Sequence, residues 1–220
     1  MEIFKREDLA TNSVLKNRKD LSKSNKNDGF IALKQSTIDK IKHDKSNKGT
    51  IDEPIRELVE TINSLRDYFT TSSCSGRICI NKEFKDLKKT KDVWVFKSHD
   101  PVDTKEILDV KLPNENTSIR FETMIIHVVA RDIFCACRFL DLVRKTGFKK
   151  SGIFSVKTNK VMIECSSTEN MHAPFSLGNH MLMDKIYLEK FVAESNFKLR
   201  RAHMRIKRLN EALKKEFVCN

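Results

Sequence analysis

Ile119-Arg120-Phe121-Glu122-Thr123-Met124-Ile125-Ile126-His127-Val128-Val129-Ala130-Arg131 is the stretch on which the fold turns. Its β-branched and aromatic residues predict strand. Alternation sets Ile125, His127 and Val129 on one face and Ile126, Val128 and Ala130 on the other. A histidine therefore projects from an otherwise apolar strand, and Arg131 joins its face at the strand end. Downstream, Asp132 is a good helix cap and Gly147 a good stop, so a helix is predicted between them with Ala136, Leu140 and Val143 buried. Upstream, Ile78, Ile80, Val93 and Val95 read as further strand. No G-x-G-x-x-G follows a strand, no G-x-x-x-x-G-K-[ST] occurs, and the chain has only 6 glycines. Dinucleotide-binding, P-loop and ordinary Rossmann architectures are disfavoured on those grounds.

Further out, Ile153–Lys157 and Lys160–Cys165 read as a hairpin over Thr158-Asn159. A last helix is predicted from about Asp184 to Glu216. Leu188, Val192, Ser195, Leu199, Ala202, Ile206, Leu209 and Leu213 recur in it at alternating spacings of four and three, a heptad seam with one polar break at Ser195. At ~1.5 Å per residue this helix is about 50 Å long, so part of it overhangs the body or runs along all of it. On the N-terminal side, a helix is expected over Ile31 to Ile41 and a loop over 44–49. A second helix has capping-box spacing at Thr50 and Glu53, Pro54 in its first turn, and an apolar face of Ile55, Leu58, Val59, Ile62 and Leu65. It is read as ending near Tyr68. Residues 1–28 form a lysine-rich extension expected to be disordered, and residues 29–220 one domain.

The 220 residues carry 42 Lys and Arg against 30 Asp and Glu, a net charge of +12, which favours an anionic partner: RNA, DNA or an acidic membrane surface. No run approaches ~18 apolar residues, so no bilayer span is expected, and no apolar stretch follows Met1 to suggest a secretory signal. Among 6 cysteines there is no C-x-x-C pair, and the spacing of Cys135 and Cys137 does not resemble a zinc half-site. The expectation is reduced thiols, no metal and a cytoplasmic location. In the last helix Lys198, Arg200, Arg201, Arg205, Lys207 and Arg208 have no acid between them, and Lys198, Arg201, Arg205 and Arg208 share one face. A solvated face usually mixes signs, whereas a phosphate track does not.

The most informative polar segment is Thr70-Thr71-Ser72-Ser73-Cys74-Ser75-Gly76-Arg77. Read as a turn, it offers hydroxyls, backbone N–H groups and a guanidinium, a cradle for a carboxylate or phosphate. Only two residues separate Cys74 from Arg77, too few for a phosphatase loop, and the G-x-S-x-G elbow of a serine hydrolase is absent. His99 ends the strand Trp94-Val95-Phe96-Lys97-Ser98-His99. Lys149-Lys150-Ser151-Gly152 is a second small charged turn.

Taken in order, these segments resemble the tRNA wybutosine-synthesizing protein 3 family. Asp44 to Asp52 is similar to its D-x-S-x-K-G-x-x-D entry, and Thr70 to Ile78 to its T-T-S-S-C-[SA]-G-R-I signature. Trp94…Ser98-His99 is similar to W-x-x-x-[ST]-H, Phe121 to Arg131 to F-E-P-x-x-L-H-V-x-x-R, and Gly147 to Ile153 to G-F-[RK]-x-S-G-I. Thr123 departs from the proline of that pattern.

The resemblance implies S-adenosylmethionine-dependent N4-methylation of a 4-demethylwyosine-type base, 3′ of the anticodon of tRNA-Phe. It also implies an α+β, non-Rossmann fold, with a mixed or antiparallel sheet, flanking helices and the long C-terminal helix. Under it, Ser72, Ser73, Cys74, Ser75, Gly76, Arg131, Ser151 and Gly152 are expected to hold the methyl donor. Arg77 is a counter-charge, and His127 or His99 relays the proton. Lys149, Lys150, Lys198, Arg201, Arg205 and Arg208 are expected to follow the anticodon stem-loop, with the protein a monomer. Trp94 and Tyr68 are candidate stacking platforms. Two other readings stand beside this one: a non-catalytic tRNA-binding module or accessory subunit, and a helical scaffold whose seam binds another chain.

Overall fold

A computed structural model describes residues 29–40, 51–83, 93–158 and 160–218. Helix α1 spans 29–40. There follow α2 (Glu53–Ser64), β1 (Tyr68–Cys74), β2 (Arg77–Lys82), β3 (Trp94–Ser98), α3 (Thr104–Leu108), β4 (Thr117–Glu122) and β5 (Ile125–Ala130). Then come α4 (Ile133–Lys145), β6 (Gly152–Lys157), β7 (Lys160–Ser166), β8 (Met171–Leu177), β9 (His180–Met181) and α5 (Lys185–Leu213), which ends in a π-helical turn over Lys214–Val218. The fold is α+β, as expected.

The strands form two antiparallel sheets, one of four strands ordered β1-β5-β7-β6 and one of five ordered β3-β2-β4-β8-β9. Strands adjacent in sequence therefore part company at three places. The chain changes sheet at Ser75-Gly76, at Thr123-Met124 and over 167–170. The stretch read as one strand run from Ile119 is thus two strands in two sheets, parted by a two-residue step. These steps touch one another. Thr123 Oγ1 lies 2.9 Å from Ser167 Oγ, and a Cβ on Gly76 would fall 3.3 Å from the Met124 nitrogen.

Helix α5 joins the two halves. Its seam residues Leu188, Val192 and Leu199, together with Phe191, pack with Ile78, Ile80, Ile119 and Phe121 of the five-stranded sheet. Ile206, Leu209 and Leu213 pack with α2, α4 and the four-stranded sheet. The helix therefore runs along the whole body. Burying each such side chain contributes ~1.5–3 kcal/mol, so this face is held on the body rather than offered to another chain. Ser195, the polar break, is fully buried, and among the described residues its hydroxyl reaches only the Met171 sulfur, at 3.8 Å.

Asp132 caps α4 by accepting from the Cys135 N–H at 2.8 Å, and Gly147 follows it at φ +109°. The β6–β7 hairpin turns at 158–159, of which Asn159 lies outside the described residues. Thr70 to Arg77 is not a turn: it is the end of β1, a two-residue step and the start of β2. Helix α2 stops at Ser64, short of Tyr68, because Leu65 is already extended. Its N-cap is Asp52, whose carboxylate makes no cap hydrogen bond. Thr50, the loop over 44–49 and the extension 1–28 lie outside the described residues. No described helix is long and apolar enough to cross a membrane.

Candidate active site

β1 is an edge strand of the four-stranded sheet. At one end of the face shared with His127, α1 covers Phe69, Val129 and Met162 with Phe30 and Ile38. Further along that face the residues turn polar. Ser72 pairs in register with His127, and His127 with Glu164. Ser72 Oγ lies 2.7 Å from His127 Nδ1, and His127 Nε2 lies 3.2 Å from Glu164 Oε2. A carboxylate only accepts, so Nε2 carries the proton given to Glu164. Nδ1 then accepts from the Ser72 hydroxyl. The result is a hydroxyl–imidazole–carboxylate chain on an open sheet face.

Two residues on, Cys74 shares the face of Ser72 by strand alternation. Its sulfur is 3.8 Å from His99 Nδ1. That nitrogen also lies 2.9 Å from the Gly76 carbonyl and 3.2 Å from Asp52 Oδ2. Two acceptors at one nitrogen mean that Nδ1 carries the proton and Nε2 the lone pair. Asp52 Oδ2 takes the Ser75 N–H at 2.8 Å and its hydroxyl at 3.2 Å. The N-cap carboxylate is thus drawn to the step between sheets, still beside the positive end of α2. Asp52, Cys74 and His99 are metal-ligand types with facing atoms within 4.8 Å of one another. However, the imidazole nitrogen that faces the others is protonated, and burial pushes the Cys74 thiol up. A metal bound here would have to displace both protons, since ligation needs an unprotonated imidazole nitrogen and a thiolate.

One polar strip therefore runs Glu164, His127, Ser72, Cys74, His99, Asp52, bridging the sheets. Gly152, in register with Glu164, borders it, and a Cβ there would meet nothing within 4 Å. Ser73 alternates to the opposite face.

Other expected site residues stand elsewhere. Arg77 is engaged: its Nε lies 2.6 Å from Glu122 Oε2, and its guanidinium stacks 4.5 Å above the Trp94 ring. Arg131 sits at the opposite end of β5, ion-paired to Asp67 at 2.7 Å and Asp132 at 3.1 Å. The buried Ser151 hydroxyl donates to the Phe148 carbonyl at 2.6 Å and accepts the Ser166 N–H at 3.1 Å, so it braces the turn into β6. Tyr68 is buried with its hydroxyl on the Cys135 carbonyl at 2.9 Å, and is no platform.

The basic helix is also more compensated than its sequence suggested. Lys198 pairs with Glu194 at 2.9 Å, and Glu169 reaches both Arg201 at 3.0 Å and Arg205 at 2.6 Å. Glu169 comes from the β7–β8 connection, which is why counting acids within α5 missed it. Arg205 is half-buried against Gly147. Lys149, Lys150, Arg200, Lys207 and Arg208 are exposed.

Sequence reasoning passed over Asp52 as a site residue, although the quoted entry motif contains it. It also passed over Glu164, whose only signal was an acid inside the apolar run Lys160–Cys165.

The chain matches the family model described as methyltransferase TYW3 over residues 32–215. It is 36% identical over 189 residues to tRNA(Phe) 7-((3-amino-3-carboxypropyl)-4-demethylwyosine(37)-N(4))-methyltransferase of Thermococcus sibiricus, covering 84% of this chain and 95% of that protein. It is 31% identical over 190 residues to the tRNA wybutosine-synthesizing protein 3 homolog of Danio rerio, covering 84% of this chain and 75% of that one. Among solved structures it resembles the PH1069 protein of Pyrococcus horikoshii, with TM-score 0.77 and 30% identity over 85% of this chain and 97% of that one.

Proposed function

Because the chain belongs to the methyltransferase TYW3 family, we propose that it methylates N4 of a 4-demethylwyosine-type base 3′ of the anticodon in tRNA-Phe, with S-adenosylmethionine as donor. The observation that carries this reading is the polar strip. Signature segments far apart in sequence contribute Asp52, Ser72, Cys74, His99 and His127 to it, in contact across β1.

Methyl transfer from a sulfonium is an in-line displacement. It asks the protein for alignment and for a way to remove the proton on the acceptor nitrogen. It asks for no covalent intermediate, and a thiol held protonated by burial suits that. The donor set fits a polar small molecule: His99 Nε2 has no partner among the described residues, and the Ser72 hydroxyl is exposed. The bound donor supplies the methyl group. Ser72, Cys74 and His99 would orient it, while Asp52 fixes the His99 ring and the Ser75-Gly76 step. Ser72 passes the acceptor's proton to His127 Nδ1, while Glu164 stabilises the imidazolium.

The test is methyl transfer from S-adenosylmethionine to an anticodon stem-loop carrying 7-(3-amino-3-carboxypropyl)-4-demethylwyosine, read as a single added methyl by mass spectrometry. No transfer to this RNA by the folded protein sinks the proposal.

The net charge of +12 supports a backbone-binding face. With Lys198, Arg201 and Arg205 paired to acids, the outward cations Arg200, Lys207 and Arg208 are the better phosphate ligands. Changing these three to glutamine is expected to flatten the slope of log K against log salt by about two to three units, at ~0.7–0.9 per contact. Donor affinity stays unchanged. An unaltered slope moves the RNA track off α5, towards Lys149 and Lys150.

A further inference from the structure

Phe154 is the anomaly of the four-stranded sheet. An aromatic ring on a regular strand facing a core is normally covered, yet this one is 66% exposed. Its setting explains how. The β6–β7 register steps from Ile153↔Ile163 to Ser155↔Met162, so Phe154 is the unpaired residue of a bulge on an edge strand. Bulges re-aim side chains, and this one turns the ring onto the polar strip. Its centroid lies 6.2 Å from the His127 ring at a 53° tilt. The ring is thus neither packed in a core nor stacked flat on a partner, and one side of it is free beside the hydroxyl–imidazole–carboxylate chain. Gly152, two residues before it, leaves the approach to Glu164 without a side chain.

We propose that Phe154 is the stacking platform for the acceptor base, holding a flat polycyclic base over the sheet face so that its edge meets Ser72 and His127. The inference rests on the methyltransferase reading above and names the residue that seats the substrate. Stacking contributes enough to matter, because a base on an aromatic ring makes a broad contact that a phosphate grip alone does not supply. It also suits a single-stranded loop, where the base is splayed out and read from its face and edge. The two platforms that sequence offered are weaker: Tyr68 is buried and the Trp94 ring carries Arg77.

The experiment compares wild type, Phe154→Ala and Phe154→Trp on two anticodon stem-loops, one carrying 7-(3-amino-3-carboxypropyl)-4-demethylwyosine and one with unmodified guanosine at that position. Phe154→Ala is expected to raise KM for the tricyclic RNA about tenfold to a hundredfold. S-adenosylmethionine affinity and melting temperature should stay unchanged, since the ring is exposed. Phe154→Trp restores KM, and affinity for the guanosine RNA changes much less. Unchanged KM in Phe154→Ala overturns the platform, as does an equal loss on both RNAs, which would make Phe154 a general RNA contact. Wild-type protein that methylates neither RNA overturns the underlying function and the platform with it. An active wild type beside an indifferent Phe154→Ala overturns the platform alone.

Discussion

Replacing His127 with alanine is expected to lower the methyl-transfer rate by about two to four orders of magnitude, the range typical of a lost acid–base group. RNA and donor binding should each stay within a few-fold. The acceptor nitrogen must shed a proton as it gains a methyl group. Ser72 Oγ, 2.7 Å from His127 Nδ1, provides the route from the sheet face to the ring. Glu164, 3.2 Å from Nε2, fixes the tautomer in which Nδ1 is free to accept. Glu164→Gln should therefore fall between wild type and His127→Ala. Its effect belongs in kcat rather than KM, because it leaves the platform and the phosphate contacts alone. His127 is partly exposed, so the alanine variant should fold and melt close to wild type. A rate for His127→Ala within threefold of wild type would remove this relay. It would point instead to His99 Nε2, the other imidazole nitrogen on the strip with a lone pair.

Gly76→Ala should be the most damaging small substitution, at about 2–4 kcal/mol, with strain at positive φ as one part. Gly76 has φ +101°, a conformation that L residues rarely adopt. Its missing Cβ would stand 3.2 Å from the Glu122 carbonyl oxygen, 3.3 Å from the Met124 nitrogen and 3.3 Å from Leu199 Cδ1. Two of those neighbours are backbone of the second sheet-changing step, so relief requires moving one step away from the other. At ~2–4 °C per kcal/mol for a chain of this size, the melting temperature should fall by roughly 5–15 °C. Activity should fall with it, because the Gly76 carbonyl accepts from His99 and the adjoining Ser75 N–H goes to Asp52. Gly152→Ala is the stability control: nothing lies within 4 Å of its added Cβ, and its melting should barely change. Equal melting of both variants would show that the Gly76 step relaxes freely.

Local pattern was legible wherever one element set its own terms. The 3.6-residue and heptad periods placed α4 and α5, and Asp132 accepts the expected backbone N–H at the start of α4. Alternation over Ile125–Ala130 separated His127 from the Ile126 and Val128 face, because the strand period is two whatever the partner strand. The same local logic failed at Thr70–Arg77. Small hydroxyl residues favour turns when exposed, but here most of them line an edge strand, held by β5. It failed again on α5, where charge was counted along one helix while Glu169 approached from another element.

The sequence alone was enough to read the strand-rich middle, the amphipathic helices, the cap of α4, the continuous seam of α5 and the set of polar residues that carry the family signature. Each depends on spacing within one segment, which chain geometry converts directly into a face. Only the tertiary structure decided that the strands divide between two sheets, and that Asp52 leaves its own helix cap for Ser75 and His99. The same holds for the contacts of Glu164 with His127 and Glu122 with Arg77, and for the turn of Phe154 onto the strip. Those choices are made by long-range pairing. A one-residue change of register or a two-residue step reassigns every side-chain neighbour while leaving the local pattern almost unchanged.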